Sequence, residues 1–273
     1  MDRWFGRGRE RGWMVVTGAS RGIGEAIMVR LAAAGYPVFG VARSETSLQR
    51  ICTKIRRSGG RADFLRADLS TADAARDLAT DIRRRVGRVE GVVVNAGHSS
   101  NTLFENLTPE DMTSEFGVNY LAPATLLHSF IPDLKKQGRG FLVGVGSLTA
   151  GVPFPGHANY AASKAALYCL FRNLRIELAG TGVNVNMVLP GFTKTKMTEA
   201  LDFRLPASEP DEVAEALVCA IKDNKAFVVP GFDNRMALTL NRLFPGAFDF
   251  GVSLLGKYFI PGYADALDDR SPE

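Results

Sequence analysis

Tyr160 and Lys164 stand four residues apart in a stretch with helical character, so both side chains project from one helix face. A lysine ammonium beside a phenol favours the phenolate. The spacing therefore predicts a Tyr160 pKa below its usual value of about 10. Such a tyrosine can give a proton to a carbonyl oxygen as hydride reaches the carbon, and recover it in the reverse direction. By itself the pair is near a chance occurrence, and its surroundings decide its weight. Upstream, Ser147 closes a predicted strand, where its hydroxyl can hold the oxygen of a substrate.

A second chemical feature lies near the start of the chain. Thr17-Gly18-Ala19-Ser20-Arg21-Gly22-Ile23-Gly24 follows an apolar strand and opens a helix. Glycines there permit a tight turn and let the backbone approach a pyrophosphate, whose charge meets the helix N-terminus. The spacing is GxxxGxG. At the end of the second strand, where an NAD site carries an acid for the ribose, stand Ala42 and Arg43. A guanidinium can hold a 2′-phosphate that a carboxylate would repel, so the cofactor expected is NADP(H). Arg21 can supply a second cation. Asp68 either accepts from an adenine amine or caps the next turn.

The elements that must position these groups alternate between short β-rich runs and longer helical patterns, the mark of βαβ units. Strands are predicted at Trp13–Thr17, Val38–Ala42, Phe64–Asp68, Gly91–Asn95, Gly140–Ser147, Asn184–Leu189 and Ala226–Val229. Helices are predicted at Gly24–Ala34, Ser44–Ser58, Ala72–Val86, Pro109–Lys136, Asn159–Ala179 and Pro210–Lys222. The fold class is α/β with a doubly wound parallel sheet. In such sheets ligands bind beyond the carboxyl ends of the strands. The glycine turn, Asn95-Ala96-Gly97, Ser147 and Pro190-Gly191 all fall at those ends.

The chain of 273 residues is 46% hydrophobic and 23% charged, with a net charge of +4. Acids are interspersed among the bases, which favours a mixed solvated surface over a nucleic-acid partner. The basic clusters are Arg3, Arg7, Arg9 and Arg11, and Arg83, Arg84, Arg85 and Arg88. Cys52, Cys169 and Cys219 are far apart, with no histidine at ligand spacing, so no metal site is expected. No apolar run follows the basic leader and none is long enough to span a bilayer, which predicts a cytoplasmic protein.

Taken jointly, these motifs resemble the single-domain branch of the short-chain dehydrogenase/reductase family from about Trp13 to Pro230. The resemblance rests on the glycine turn, Asp68-Leu69, Asn95-Ala96-Gly97, Asn119, Ser147, Tyr160-Ala-Ala-Ser-Lys164 and Pro190-Gly191-Phe192-Thr193-Lys194-Thr195. It implies a Rossmann-like fold and an oxidoreductase interconverting a ketone and a secondary alcohol. Tyr160 would be the general acid/base and Ser147 would orient the carbonyl. Lys164 would bind the nicotinamide ribose and tune Tyr160, and Asn119 would hold a water of a proton relay. Asn95 would fix the cofactor pocket and Thr195 would contact the carboxamide. Gly18, Ser20, Arg21, Gly22, Ile23, Gly24, Arg43, Asp68, Leu69, Ala96, Gly97, Pro190, Gly191 and Thr193 complete the implied cofactor site. The family also implies a homodimer or homotetramer, with the helices at Thr108–Lys136 and Asn159–Ala179 pairing across a two-fold axis. Val94 stands where many members have asparagine. A non-catalytic NADP-binding regulator and a nucleotide-sugar epimerase are the competing readings. The intact Ser, Tyr, Lys and Asn set disfavours the first, and the glycine spacing disfavours the second.

The expected organisation is a basic leader at 1–12, the dinucleotide-binding domain at 13–230, and an apolar extension at 231–273 broken by Pro245-Gly246. That extension is expected to pack on its domain or a partner subunit, or else to form a lid or a membrane-surface contact. Phe154, His157, Phe192, Met197, Leu201 and Phe203 would make a mostly apolar pocket for a lipophilic or acyl-type substrate. His157 either faces that substrate or lies on the surface.

Overall fold

Runs such as Val38–Ala42 are apolar at every position, and Val89–Val94 nearly so, which suits parallel strands covered on both faces. In the computed structural model, which describes residues 11–199 and 207–256, they lie inside a seven-stranded sheet. The strands are β1 (Trp13–Thr17), β2 (Val38–Ala42), β3 (Ala62–Arg66), β4 (Val89–Val94), β5 (Gly140–Val145), β6 (Val183–Val188) and β7 (Phe227–Val228). Their order is β3-β2-β1-β4-β5-β6-β7, and every neighbouring pair is parallel. The order reverses between β1 and β4, which opens a crevice at the carboxyl ends of those strands.

Helices cover both faces. One core joins the sheet to α3 (Ala72–Val86), α5 (Ala122–Gln137) and α6 (Ala158–Glu177). The other joins it to α1 (Gly22–Ala33), α2 (Glu45–Arg57) and α7 (Pro210–Lys222). The helix expected over Pro109–Lys136 is built in three parts. These are α4 (Pro109–Phe116), a π turn at Gly117–Leu121, and α5. Thr108 starts it with a reciprocal cap, its hydroxyl accepting from the Asp111 amide while Asp111 accepts from the Thr108 amide, each at 3.1 Å. The extension begins with α8 (Phe232–Leu243) and α9 (Pro245–Gly256), interrupted at Pro245 as its sequence requires. No helix among the described residues is long and apolar enough to cross a membrane.

Five strands differ from expectation at their ends; β4 begins two residues early at Val89 and stops at Val94, and β6 lies one residue early at Val183–Val188. The third strand occupies Ala62–Arg66, two residues before the predicted Phe64–Asp68, because the Val38 amide bonds to the Arg61 carbonyl at 2.9 Å and pairing with β2 runs on from there. Asp68 is thereby left exposed beyond the strand. The fifth strand stops at Val145, where its register with Val188 ends, so Ser147 lies just past it. The last strand shrinks to two residues at the sheet edge.

Helix α6 is seated by Leu167, Phe171 and Leu174, all buried. The Phe171 ring lies so close to β5 that a Cβ on Gly144 would come within 2.8 Å of it. Phe171→Ala should lower the unfolding free energy by about 3–5 kcal/mol, as for large-to-small changes in other cores. Urea denaturation followed by circular dichroism measures this, and a loss well below 1 kcal/mol would contradict the packing.

Candidate active site

The glycine turn is bound to the fourth strand by Thr17 and Asn95. The Thr17 hydroxyl accepts from the Asn95 amide at 3.0 Å and the Ala96 amide at 3.1 Å. The Asn95 side chain donates to the Thr17 carbonyl at 2.9 Å and the Gly18 carbonyl at 3.3 Å. Glycine is required twice here. Gly18 has φ +65°, and a Cβ on Gly24 would sit 2.1 Å from the Gly18 oxygen. The Ala19 amide reaches the Val41 carbonyl at 3.2 Å, which lays the turn beside the end of β2. Ser20 and Ile23 are half-buried, and Arg21 caps the start of α1, whose first N–H groups lack helical partners.

Across the crevice, Thr195 comes so near Gly22 that a Cβ there would lie 3.1 Å from its methyl carbon. The loop carrying Thr195 is held by Thr198, whose hydroxyl donates to the Thr193 carbonyl at 2.6 Å and accepts from the Thr195 amide at 3.1 Å. Pro190 accepts from the Leu148 amide at 2.8 Å, joining the ends of β5 and β6. Leu69 is buried. Arg43, Arg21 and Asp68 are exposed, and their side chains make no hydrogen bond among the described residues.

Asn119 and Lys164 converge beside Gly97, where a Cβ would stand 3.4 Å from both the Asn119 Oδ1 and the Lys164 Nζ. Lys164 is buried and donates to the Val145 carbonyl at 3.2 Å. Its ammonium is 5.7 Å from the centre of the Tyr160 ring. Asn119 lies on the π turn, a feature that recurs at functional sites. Its amide is bonded to His98 both ways at 2.8 Å and donates to the Ser163 hydroxyl at 3.0 Å. Ser163 in turn donates to the Tyr160 carbonyl at 2.7 Å.

Glu115 and its partner Ser100 escaped the sequence reading. Glu115 is buried and accepts from the Ser100 amide at 2.5 Å and from the Asn159 side chain at 2.6 Å. Its spacing of four from Asn119 was the available signal. His157, expected on the surface if not facing substrate, is buried in a chain of edge-to-face rings. It lies 5.8 Å from Tyr160 and 5.3 Å from Phe154, and Phe154 lies 5.0 Å from Phe192. Met197 is half-buried, and its carbonyl accepts from Asn101 at 3.2 Å. Leu201 and Phe203 lie outside the described residues. The extension reaches this rim through α8. There Asn241 donates to the Gly151 carbonyl at 2.6 Å, and Asn234 presses on Gly191, where a Cβ would meet its Oδ1 at 2.1 Å. Outward from these contacts Phe232, Leu243, Phe250 and Leu254 are exposed.

The electrostatics correct the expected lowering of the Tyr160 pKa. Tyr160 is half-buried overall, yet enclosure of the phenol pushes it up to about 12; the Ser147 hydroxyl draws it partly back and the Glu115 charge adds to the rise. Lys164 does not offset this, because burial drives its own ammonium down to about 8. Burial likewise lowers His157 and keeps it neutral. A lysine depressed from 10.5 to about 8 penalises the folded state while charged, and that penalty disappears as pH rises through this range. Tyr160 has the opposite sign above pH 10, its ordinary value. The free protein should therefore gain stability relative to Lys164→Met between about pH 8 and 10, as read by denaturant titration. A difference constant across that window would refute the buried ammonium.

The short chain dehydrogenase family profile matches residues 12–204. A ketoacyl reductase of Nostoc sp. is 34% identical over 225 residues, covering 79% of this chain and 77% of that protein. An alcohol dehydrogenase of Thermococcus sibiricus, solved with 5-hydroxy-NADP, has a TM-score of 0.73 and 30% identity over 81% of this chain and 96% of its own. A short-chain dehydrogenase of Sphingobium yanoikuyae, solved with NADPH, has a TM-score of 0.77 and 27% identity over 87% and 95% of the two chains. With a crossover at the centre of a parallel sheet, a glycine turn on one side and Tyr160 and Lys164 on the other, this chain belongs to the short-chain dehydrogenase family.

Proposed function

We propose that this enzyme interconverts a ketone and a secondary alcohol with NADP(H), using Tyr160 as the general acid/base. The observation that carries the reading is the convergence of Ser147, Tyr160, Lys164 and Asn119 at the strand ends, across the crevice from the glycine turn. The dinucleotide supplies or accepts the hydride. The glycine turn fits its pyrophosphate, because Gly18 and Gly24 leave the backbone bare where α1 begins. Thr195 faces that turn from the far side, on the loop that also carries Pro190, Gly191 and Thr193.

Ser147 holds the carbonyl oxygen while Tyr160 transfers the proton to it. Lys164, buried at the base of the site, favours the phenolate whenever it is charged. Asn119 is engaged by His98 and Ser163 and fixes the turn beneath the reacting groups. The neutral ring of His157, with Phe154 and Phe192, provides an apolar wall that favours a lipophilic ketone. The NADP-bound relatives and the ketoacyl reductase support the same chemistry.

The test is loss of NADPH absorbance with a panel of acyclic, aryl and acyl-thioester ketones. Tyr160→Phe should lower kcat by about 10²–10⁴-fold while NADPH still binds, as seen by its fluorescence; near-normal turnover would sink the assignment.

Arg43 governs the cofactor choice in this reading, since it is exposed at the end of β2 beside the glycine turn. Arg43→Asp should reduce the preference for NADPH over NADH by on the order of tenfold or more, the worth of a charge-assisted bond. An unchanged ratio of kcat/KM for the two cofactors would show that another group meets the 2′-phosphate.

A further inference from the structure

We propose that Glu115 is a positioning residue for Tyr160, its buried carboxylate bracing the first turn of α6 against the loop after β4. The proposal rests on the reading of Tyr160 as the proton-transfer group. Glu115 is 2% exposed, and among the described residues no lysine or arginine pairs with it. A carboxylate in that state is costly unless hydrogen bonds satisfy it, and an apolar residue would fill the space more cheaply. What it holds explains its presence.

One oxygen takes the Ser100 amide at 2.5 Å and the other takes the Asn159 side chain at 2.6 Å. Asn159 immediately precedes Tyr160, and it also donates to the Met112 carbonyl on α4 at 3.3 Å. Ser100 belongs to the loop that follows Asn95-Ala96-Gly97, and neighbouring Asn101 reaches the Met197 carbonyl across the pocket. A single carboxylate thus links the cofactor-side loop, α4 and the residue beside the phenol. Asn119, one turn further along, makes the parallel connection from His98 to Ser163. The two links hold α6 at adjacent points.

The charge has a second effect on the same group. Lys164 on α6, the Ser147 hydroxyl, His157 in the preceding turn and Glu115 on α4 face Tyr160. Of these Glu115 alone is anionic, and its field opposes the phenolate. His157, the other titratable ring near Glu115, feels the same field in favour of its cation.

The test compares Glu115→Ala with Glu115→Gln, following kcat, KM and the pH profile of alcohol oxidation with NADP. Glu115→Ala should lower kcat by about tenfold with KM changed less than about threefold, as expected for a misplaced catalytic group. Glu115→Gln, whose amide can still meet Ser100 and a rotated Asn159, should recover most of kcat. Having lost the charge, it should also move the midpoint of the rising pH limb to lower pH. Should Glu115→Ala fail to fold, Asn159→Ala breaks the same bridge from its other end and is held to the same kcat criterion. A kcat within twofold of wild type in the bridge-breaking variant, or a midpoint unmoved in Glu115→Gln, overturns the proposal. Inactive wild-type enzyme, or full turnover by Tyr160→Phe, would instead defeat the reading of Tyr160.

Discussion

Lys164 is buried at the end of β5, and the hydrogen bond from its ammonium to the Val145 carbonyl ties α6 to the sheet. A charge placed there must be tolerated by everything around it. Gly97 has to lack a side chain, since a Cβ would press on the ammonium and on Asn119 together. Helix α6 must approach β5 closely enough for the Lys164 stem to reach Val145, and the Phe171 ring against Gly144 sets that approach. Burial also depresses the ammonium toward neutrality, so the lysine's influence on Tyr160 depends on whatever stabilises its charge.

A buried anion also acts on the phenol. Glu115, on α4, raises the Tyr160 pKa, and among the described residues the only partner that lowers it is the Ser147 hydroxyl. The free protein favours the protonated phenol, which is the form required to donate to a carbonyl. The π turn that joins α4 to α5 serves the same site. It widens the helix at Gly117–Leu121, and Asn119 there meets His98 and Ser163 together.

The extension is part of the rim rather than an appendage. Asn234 against Gly191 and Asn241 on Gly151 place α8 over the loops that follow β5 and β6. Gly191 therefore has a packing reason to lack a side chain. Leu238 of α8 joins these contacts at Gly151, while other apolar side chains of the two helices stay exposed, including Phe232 and Phe250.

The order and type of the strands and helices through β7 were legible in the sequence, because apolar periodicity and glycine or proline punctuation are local properties. So was the placement of Tyr160 and Lys164 on one helix and of the glycine turn at a helix start, since both follow from local spacing. Strand ends were less legible. The start of β3 is fixed by the bond from Val38 to Arg61, and no periodicity within residues 62–68 contains that partner. Glu115, Asn159 and the buried setting of His157 were not legible either, since each depends on elements distant in sequence. The pKa of Tyr160 shows the division most clearly. Spacing brought a lysine to its side, and by Coulomb's law alone the phenol should have been acidified. Burial, which only the packed tertiary structure decides, weakened the lysine's charge and raised the phenol instead.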